Sequence, residues 1–158
     1  MEIKQLSGIN VNKAFSLAFR VFKKNIRTTH FGYERFKYNI VYNERYRKTC
    51  KKGICKLFGG FINDTLVGFV GIDKNADYIT FLFVEDEYQR QGIGKLLFEY
   101  IINYVRSEYN KESIMINSTD NAVPFYIRVG AIPDGVREEH NGVMITPMKY
   151  IIKGEGNE

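Results

Sequence analysis

Two closely spaced glycines near the middle of the sequence stand where a phosphate-bearing ligand can bind. Gly92 and Gly94 end the segment 89–94 (QRQGIG), and the apolar residues that follow recur at helical spacing as far as Val105. The glycines therefore mark the start of a helix, where backbone N–H groups lack intrahelical partners and the helix dipole is positive. Because glycine lets a bulky anion approach the backbone closely, this segment predicts a phosphate site.

The spacing of these glycines narrows the choice of ligand. A dinucleotide fingerprint requires G-x-G-x-x-G and a P-loop requires G-x-x-x-x-G-K-[ST], and the segment 89–94 contains neither pattern. The alternative is a strand–helix connection whose glycines only start the helix and bind no ligand.

The elements beside the glycine turn are the clearest in the sequence. Residues 78–84 (YITFLFV) alternate between two faces, as expected of a buried strand, and a short acidic bend follows at 85–87. From Ile93 to near Asn110 the pattern is that of an amphipathic helix. The expected order is therefore strand, bend, glycine turn and long helix.

The N-terminal half predicts two helices and a hairpin. A strand at Ile3 to Leu6 is followed by a helix that starts near Ser7 or Asn10 and fades by Asn25. A loop at 28–32 precedes a second helix from Tyr33 to about Lys48, on which Tyr38, Tyr42 and Tyr46 share one face. This stripe is interpreted as half-buried packing or, alternatively, as the wall of a substrate pocket. Residues 57–62 and 66–72 predict a hairpin that turns at 63–64 (ND), with bulges at its glycines.

The C-terminal part predicts a strand at 113–117, a short helix at 122–129 that Gly130 ends, and a hairpin. The hairpin strands are expected at 131–139 and 143–152, on either side of the turn pair Asn141-Gly142. Pro147 lies inside the second strand, which indicates an edge position or a bulge.

Two motifs in this order resemble the GNAT superfamily of acyl-CoA-dependent N-acyltransferases. Residues 89–94 match its [QR]-x-x-G-x-[GA] signature, residues 122–130 (AVPFYIRVG) match A-x-x-F-Y-x-x-x-G, and 146–148 (TPM) is similar to the closing strand of many bacterial members. The resemblance runs from Ile3 to Ile152. It implies the GNAT fold, an α/β (α+β) architecture with a mixed, mostly antiparallel sheet of about six to seven strands and about four helices. We expect one domain over residues 1–153 and a disordered tail at 154–158.

The resemblance also implies acetyl-CoA (coenzyme A) as the cofactor. In GNAT enzymes the glycine turn holds the pyrophosphate, and the pantetheine arm lies along the central strand where the next strand splays away. Thr119 stands where many members have asparagine, so that either neighbouring asparagine is a candidate instead. The cofactor-binding residues expected are Phe83, Val84, Gln89, Arg90, Gln91, Gly92, Ile93, Gly94, Lys95, Asn117 and Asn121.

Tyr126 occupies the position at which the family places a tyrosine beside the coenzyme sulfur, and it is predicted to be the general acid. The alternative is a packed aromatic residue. The general base is not identified: Thr80 stands where many relatives carry a carboxylate, the acidic bend is expected to cap the next helix or face solvent, and His30 and His140 are expected on the surface. A water chain is an equal alternative.

The expected function is transfer of the acetyl group of acetyl-CoA to a primary amine by direct attack in a ternary complex. A non-catalytic acyl-CoA-binding module of the same fold is the alternative. The acceptor is expected to be a small-molecule or peptide amine, which binds near the N-terminal helix–loop–helix. A homodimer formed through the last strands is a further expectation.

Composition sets the remaining limits. The 158 residues are 44% hydrophobic and 26% charged, and no apolar run or N-terminal signal region points to a membrane or to export, so a cytoplasmic protein is expected. Cys50 and Cys55 match no zinc spacing, so that no metal site is expected and both are interpreted as free thiols, with a disulfide as the alternative. The net charge of +5 is interpreted first as solvated surface lysines, and a polyanionic cofactor is the alternative that it also suits. Nucleic acid is not the expected partner, although the basic cluster at 45–52 leaves RNA as an alternative.

Overall fold

A computed structural model describes residues 1–152, which form one sheet of eight strands with helices against both of its faces. The tail at 154–158, expected to be disordered, lies outside the described residues. The strands are Glu2–Gln5 (β1), Lys56–Ile62 (β2), Thr65–Ile72 (β3), Tyr78–Val84 (β4), Ser113–Thr119 (β5), Ile132–Pro133 (β6), Glu138–His140 (β7) and Val143–Ile151 (β8). The helices are Ile9–Asn25 (α1), His30–Phe36 (α2), Glu44–Lys51 (α3), Ile93–Tyr109 (α4) and Val123–Arg128 (α5).

The sheet order is β1-β2-β3-β4-β5-β8-β6, and β7 also pairs with β8. All pairings are antiparallel except that of β4 with β5. The expected mixed, mostly antiparallel α/β architecture is confirmed. The structure has one strand and one α-helix more than the upper estimates from the sequence because one expected strand and one expected helix are each divided in two.

The divided helix is the one predicted from Tyr33 to about Lys48, and that prediction was wrong. Thr29 caps α2 by accepting a hydrogen bond from Gly32 N–H at 3.2 Å, and Asn43 caps α3 by accepting one from Tyr46 N–H at 3.0 Å. A π-helical turn at Lys37–Val41 separates the two helices. Because the helix is interrupted, the expected tyrosine stripe is also broken.

The three tyrosines of that stripe lie in different environments. Tyr38 and Tyr42 are exposed, whereas Tyr46 packs edge-on against Phe15 of α1 at 5.9 Å between ring centroids. Burial raises the pKa of the Tyr46 phenol, which therefore stays neutral.

The divided strand is the one predicted at 131–139, which forms the two short strands β6 and β7 on the same side of β8. Pro147 lies in β8 between the two, where its carbonyl accepts a hydrogen bond from Asp134 N–H at 2.8 Å. A proline has no N–H to donate to a ladder, so the interruption falls where it costs least. The turn at Asn141 and Gly142 is confirmed, and both residues have a positive φ.

Two hydrophobic clusters hold the layers together, one on each face of the sheet. On one face Leu97 and Ile101 of α4 pack over Val70 of β3. On the other face Phe15 of α1 packs with Phe69, both without solvent exposure. Burying a side chain of this size stabilises the fold by about 1.5–3 kcal/mol.

The parallel pairing of β4 with β5 is short, and the two strands separate beyond it to open a cleft. Only Tyr78 and Ile79 of β4 pair with residues of β5, opposite Met115 and Ile116. From Thr80 onward the two strands diverge, so that the main chain of β4 on this side has no strand partner. The opening between them forms a cleft.

Three other expectations concern cysteines, metals and membranes. Cys50 and Cys55 are free thiols, which confirms that interpretation. Within residues 1–152, no cluster of three or more histidine, cysteine or acidic side chains is arranged to hold a metal ion. No helix in this part of the chain is both long and apolar enough to cross a membrane.

Candidate active site

The cleft between β4 and β5 has a volume of about 1260 Å³. Its walls come from α1 and α2 on one side, from β4 and the glycine turn, and from β5, α5 and the β7–β8 turn. Most of the predicted site residues meet in this one cleft. Those lining it are Phe83, Val84, Gln89, Arg90, Gly92, Gly94, Lys95, Asn117, Asn121 and Tyr126.

The glycine turn presents unpaired backbone donors to open space. Arg90 and Gly92 have φ of +63° and +82°, and a Cβ added to Gly92 would meet no atom within 4 Å. The first bond of α4 runs from Leu96 N–H to Gly92 O at 3.1 Å, which leaves the preceding amides without intrahelical acceptors. Free N–H groups at the positive end of a 17-residue helix fit a phosphate group.

Gly94 has a different role from Gly92. A Cβ at Gly94 would lie 3.3 Å from the ring of Phe125, so the small residue lets the start of α4 approach α5 closely. The two predicted motifs, which are separated in sequence, are therefore in contact in the fold.

The end of the cleft at the glycine turn, called here the phosphate end for the ligand that the sequence predicts, is cationic. Arg90, Lys95 and Arg128 line it, and of these Arg128 on α5 was not among the predicted site residues. Lys95 lies 3.9 Å from Glu99, at the limit of an ion pair, so it keeps most of its charge free for a ligand.

Two glutamines of the turn brace the protein backbone. Gln89 Nε2 donates to Val84 O at 2.9 Å and Gln91 Nε2 donates to Glu87 O at 3.2 Å. The side chains of Gln91 and Ile93 lie outside the cleft lining, and Ile93 is buried. A cofactor contact from Gln91 or Ile93 is therefore restricted to the backbone.

The end of β5 supplies amide and hydroxyl groups. Asn117, Thr119 and Asn121 all line the cleft, and Thr119 Oγ1 donates to Asn121 Oδ1 at 2.7 Å. Thr119 thus orients the neighbouring asparagine amide.

Tyr126 forms part of the cleft wall and is almost fully buried. It is 6% exposed, and its ring packs against Phe125 and Phe98 at 5.2 and 6.3 Å between centroids. Burial raises the pKa of this phenol above its ordinary value, so the oxygen keeps its proton well into the alkaline range.

No carboxylate of residues 1–152 lines the cleft. The carboxylates of the acidic bend form ion pairs with α1 and do not cap α4. Glu85 pairs with Arg20. Asp86 pairs with Lys24 Nζ at 2.7 Å and accepts a hydrogen bond from the Asn25 amide at 2.6 Å. These contacts fasten the bend to α1. The expectation that the bend caps the next helix was wrong, because α1 supplies the nearest donors.

His140 is exposed, as expected, but its exposed side belongs to the cleft wall. Its Nε2 lies 2.9 Å from Glu138 Oε1, which orients the imidazole ring. His30, the other histidine, does not line the cleft.

The contact of the β7–β8 turn with α2 brings His140 to the cleft. Thr28 Oγ1 donates to Gly142 O at 2.8 Å, and a Cβ at Gly142 would lie 2.7 Å from the backbone of Gly32. Local sequence patterns could not reveal this placement, because the contacting segments are more than 100 residues apart.

Comparison with known proteins identifies the family. A family model described as an acetyltransferase (GNAT) domain matches residues 22–152 of the chain. The chain belongs to the GNAT acetyltransferase family. Members of this family use acetyl-CoA, and the expected cofactor is confirmed at that level. A comparison with curated protein sequences found no match.

Solved GNAT structures share the fold over nearly the whole chain. A GCN5-related N-acetyltransferase from Rhodopseudomonas palustris has a TM-score of 0.78 at 13% identity and covers 95% of this chain and 94% of its own. An aminoglycoside 6'-N-acetyltransferase complexed with coenzyme A has a TM-score of 0.72 at 15% identity, covering 99% and 100%. The ribosomal-protein-S18-alanine N-acetyltransferase from Escherichia coli has a TM-score of 0.66 at 16% identity, covering 99% and 98%. At these identities the likeness establishes the GNAT fold.

Proposed function

We propose that this GNAT protein is a cytoplasmic N-acetyltransferase that transfers the acetyl group of acetyl-CoA to a primary amine by direct attack in a ternary complex. The observation that carries the proposal is the continuity of the cleft. It runs from the glycine turn, past Tyr126, to the inner side of α2, so a cofactor and an acceptor have room to bind at the same time.

The cofactor would bind along β4. The free amides of the glycine turn and the side chains of Arg90, Lys95 and Arg128 suit the phosphates. Successive residues of a strand direct their main-chain groups to opposite sides, so only alternate residues of β4 face the gap between β4 and β5, and the Val84 carbonyl already accepts from Gln89 Nε2 at 2.9 Å. Amide groups of a pantetheine arm can pair with the main-chain groups of β4 that remain free there, as a strand would.

The chemistry needs one proton removed and one supplied. The amine binds in its neutral form, and its nitrogen attacks the thioester carbonyl carbon. A C–N bond forms, the nitrogen gives one proton to a base, the C–S bond breaks and the sulfur leaves. Tyr126 donates its proton to the sulfur as the C–S bond breaks and regains one through the cleft, because burial raises the pKa of this phenol and disfavours a lasting tyrosinate. A positioned acid of this kind contributes about 10²–10⁴-fold to a rate.

We assign the proton acceptor to His140. No aspartate or glutamate of residues 1–152 lines the cleft, and histidine is the side chain that most readily exchanges a proton near neutral pH. Glu138, 2.9 Å away, would stabilise the imidazolium that forms. The acceptor amine would thus lose its proton to the β7–β8 turn.

The missing carboxylate also favours a second candidate, a GNAT module that binds acyl-CoA without catalysis. The two differ in one observable, which is release of free coenzyme A when an amine is added. Amine-dependent release excludes the non-catalytic module.

The first experiment is a calorimetric titration with acetyl-CoA, repeated with dephospho-CoA, followed by an assay of thiol release with a panel of amines. Arg128→Gln should weaken acetyl-CoA binding about tenfold, since it removes one charge-assisted contact. Arg27→Gln is the matched control, because Arg27 is exposed and outside the cleft lining. Absence of saturable binding would overturn the proposed function.

A further inference from the structure

The charges of the cleft are strongly one-sided. Of the residues between 1 and 152 that line it, four are arginine or lysine and none is aspartate or glutamate. A site for a polycationic amine needs carboxylates to balance the ligand, because amines that carry several charges repel arginine and lysine. The cleft therefore disfavours that class of acceptor.

Three of these cations have a role at the phosphates, but Arg35 does not. Arg90, Lys95 and Arg128 belong to the glycine turn, the first turn of α4, and α5. Arg35 lies on α2, across the cleft and next to the β7–β8 turn. Arg35 thus belongs to the acceptor end.

Arg35 has no ion-pair partner among the described residues. Its contacts are a long hydrogen bond of 3.5 Å to Asn141 Oδ1 and the ring of Phe31 at 5.7 Å, both of them neutral groups. Glu34, the acid beside Arg35 on α2, lies 3.9 Å from His30, and Glu138 near the β7–β8 turn lies 2.9 Å from His140. The guanidinium charge therefore remains available for a ligand.

The helix that carries Arg35 also contributes an aromatic side chain to the cleft lining. Phe36, the next residue after Arg35, stacks on Phe22 with 4.0 Å between ring centroids and an interplanar angle of 3°, and both residues line the cleft. A guanidinium beside an apolar wall suits a ligand with one carboxylate and one apolar group, because the planar fork of arginine binds a carboxylate through two hydrogen bonds.

We infer that the acceptor is an amine that also carries a carboxylate, of the class of α-amino acids with an apolar side chain, and that Arg35 binds this carboxylate. The inference rests on the proposed acetyl transfer. The carboxylate on Arg35 and the side chain on the Phe22–Phe36 stack would leave the amino group directed toward His140 and the thioester.

The test is a comparison of matched acceptors. Each of the twenty protein amino acids is assayed beside its carboxamide, with acetyl-CoA, and thiol release and the mass of the product are measured. We expect an apolar amino acid to have a kcat/KM at least about tenfold above that of its amide, since the amide lacks the anionic partner of Arg35. Amides or spermidine acetylated as well as the acids would overturn the inference.

Variants of Arg35 test whether this residue causes the preference for acceptors with a carboxylate. Arg35→Gln should raise KM about tenfold for the carboxylate acceptor and leave the amide unchanged, and Arg35→Lys should restore part of the affinity. Arg27→Gln removes the same charge outside the cleft and should change neither. An equal loss for acid and amide in Arg35→Gln would assign Arg35 a structural role and overturn its assignment as the carboxylate site.

Calorimetry separates this inference from the proposed function. L-phenylalanine, L-leucine and L-alanine, each beside its amide, are titrated into the protein saturated with coenzyme A. Binding of an acid that Arg35→Gln abolishes, without acetylation of any amine, would support the carboxylate site and reject the transfer reaction. Acetylation of amines without preference for the acids would support the transfer and reject the carboxylate site.

Discussion

Removal of the Tyr126 hydroxyl tests its proposed role as the proton donor to the departing thiolate. Tyr126→Phe removes the hydroxyl and leaves the ring packed against Phe98 and Phe125. We expect kcat to fall about 10²-fold, because the thiolate loses its proton donor, while acetyl-CoA affinity changes less than about twofold. Steady-state assays of thiol release and calorimetry measure the two quantities. Tyr100→Phe is the control, since Tyr100 packs on Phe58 away from the cleft; unchanged turnover in Tyr126→Phe would remove Tyr126 from the mechanism.

His140 can be tested through the pH dependence of the rate. If the imidazole accepts the amine proton, kcat/KM of the wild type should fall as the pH is lowered, because the protonated ring cannot accept another proton. His140→Gln should lower kcat/KM at pH 7 by at least about tenfold and flatten the acidic limb of the profile. Glu138→Gln should lower kcat/KM at pH 7 by less than His140→Gln does, since the ring remains but its orienting carboxylate at 2.9 Å does not. An unaltered profile in His140→Gln would favour a water chain.

Among single residues, the sequence predicts those whose positions depend on their neighbours in the chain. The glycine turn and Tyr126 belong to contiguous motifs, and both line the cleft. His140 reaches the cleft through the contact of Gly32 with Gly142, which joins segments distant in sequence, and Arg35 lies on the helix that forms the other side of this contact. A lone arginine or histidine on an unremarkable helix or hairpin carries no local signal of such a contact.

Among the elements, the docking of the β7–β8 turn on α2 depends on a glycine. Gly142 has a φ of +86°, and a Cβ there would lie 2.7 Å from the Gly32 backbone, which cannot move aside as a flexible side chain can. Gly142→Ala should therefore displace the turn and His140, raising KM for the acceptor severalfold and destabilising the fold by about 1–3 kcal/mol, with acetyl-CoA affinity unchanged. Urea unfolding and steady-state kinetics measure these effects.

Gly53→Ala is the control for that variant. Its φ is +74°, and the nearest atom to an added Cβ is the flexible amide of Gln5 at 3.2 Å, outside the cleft. This variant should lose stability because alanine disfavours a positive φ, and its KM for the acceptor should not change. Equal acceptor kinetics in the two variants would show that the docked turn does not shape the acceptor site.

The acidic bend links α1 to the cleft in a way that depends on pH. Hydrogen bonding to Lys24 and then to Asn25 lowers the pKa of Asp86 below its ordinary value. Because the folded state favours the charged form, this link contributes stability above the ordinary carboxyl range and loses it as the pH falls through the lowered pKa. Asp86→Asn should lower the Tm slightly at pH 7, and the difference from wild type should shrink as the pH falls below the ordinary carboxyl range.

A thermal melt at several pH values tests the link, with Asp134→Asn as the control. Asp134 forms no ion pair with any residue from 1 to 152, so its replacement should leave the Tm nearly unchanged at each of these pH values. A Tm difference for Asp86→Asn that persists undiminished at pH 3 would contradict the assignment.

The sequence predicted helices and strands correctly where a long apolar periodicity runs through them. It failed where single capping residues set the ends of a helix. β4 and α4 carry repeated apolar spacing and lie where the sequence indicates. The predicted helix from Tyr33 was wrong because Thr29 and Asn43 each cap a new helix, and a cap is a single residue that periodicity does not register. The divergence of β4 from β5 came from the family resemblance, since no residue pattern shows where two strands part.

For the whole molecule, the class of fold follows from the order of the elements, and the overall charge favours an anionic ligand. A net charge of +5 with three cations at the phosphate end suits a cofactor that carries several negative charges. The single domain over 1–153 and the homodimer stay predictions. Their physical basis differs: the domain depends on one shared sheet, whereas no surface in the described chain specifies a partner copy.

Thermal unfolding tests the single domain and the cofactor site together. Both hydrophobic clusters pack on the same eight-stranded sheet, so removing either layer of helices exposes an apolar face of that sheet. Residues 1–153 should therefore unfold in one transition with equal calorimetric and van't Hoff enthalpies. Acetyl-CoA at 100 times its Kd stabilises the native state by about 2.7 kcal/mol, which for a domain of this size raises the Tm by roughly 5–10 °C.

The weaker acetyl-CoA binding expected of Arg128→Gln predicts a smaller Tm shift on addition of acetyl-CoA. At the same acetyl-CoA concentration a tenfold loss of affinity removes about 1.4 kcal/mol of linkage, so the Tm shift of this variant should be about half that of the wild type, with an unchanged Tm in the absence of cofactor. Two separate transitions, of which acetyl-CoA moves only one, would instead show that α1 and its cluster fold independently of α4 and the glycine turn. In that case the cleft between β4 and β5 would be a junction of two units and the sheet would not be their common core.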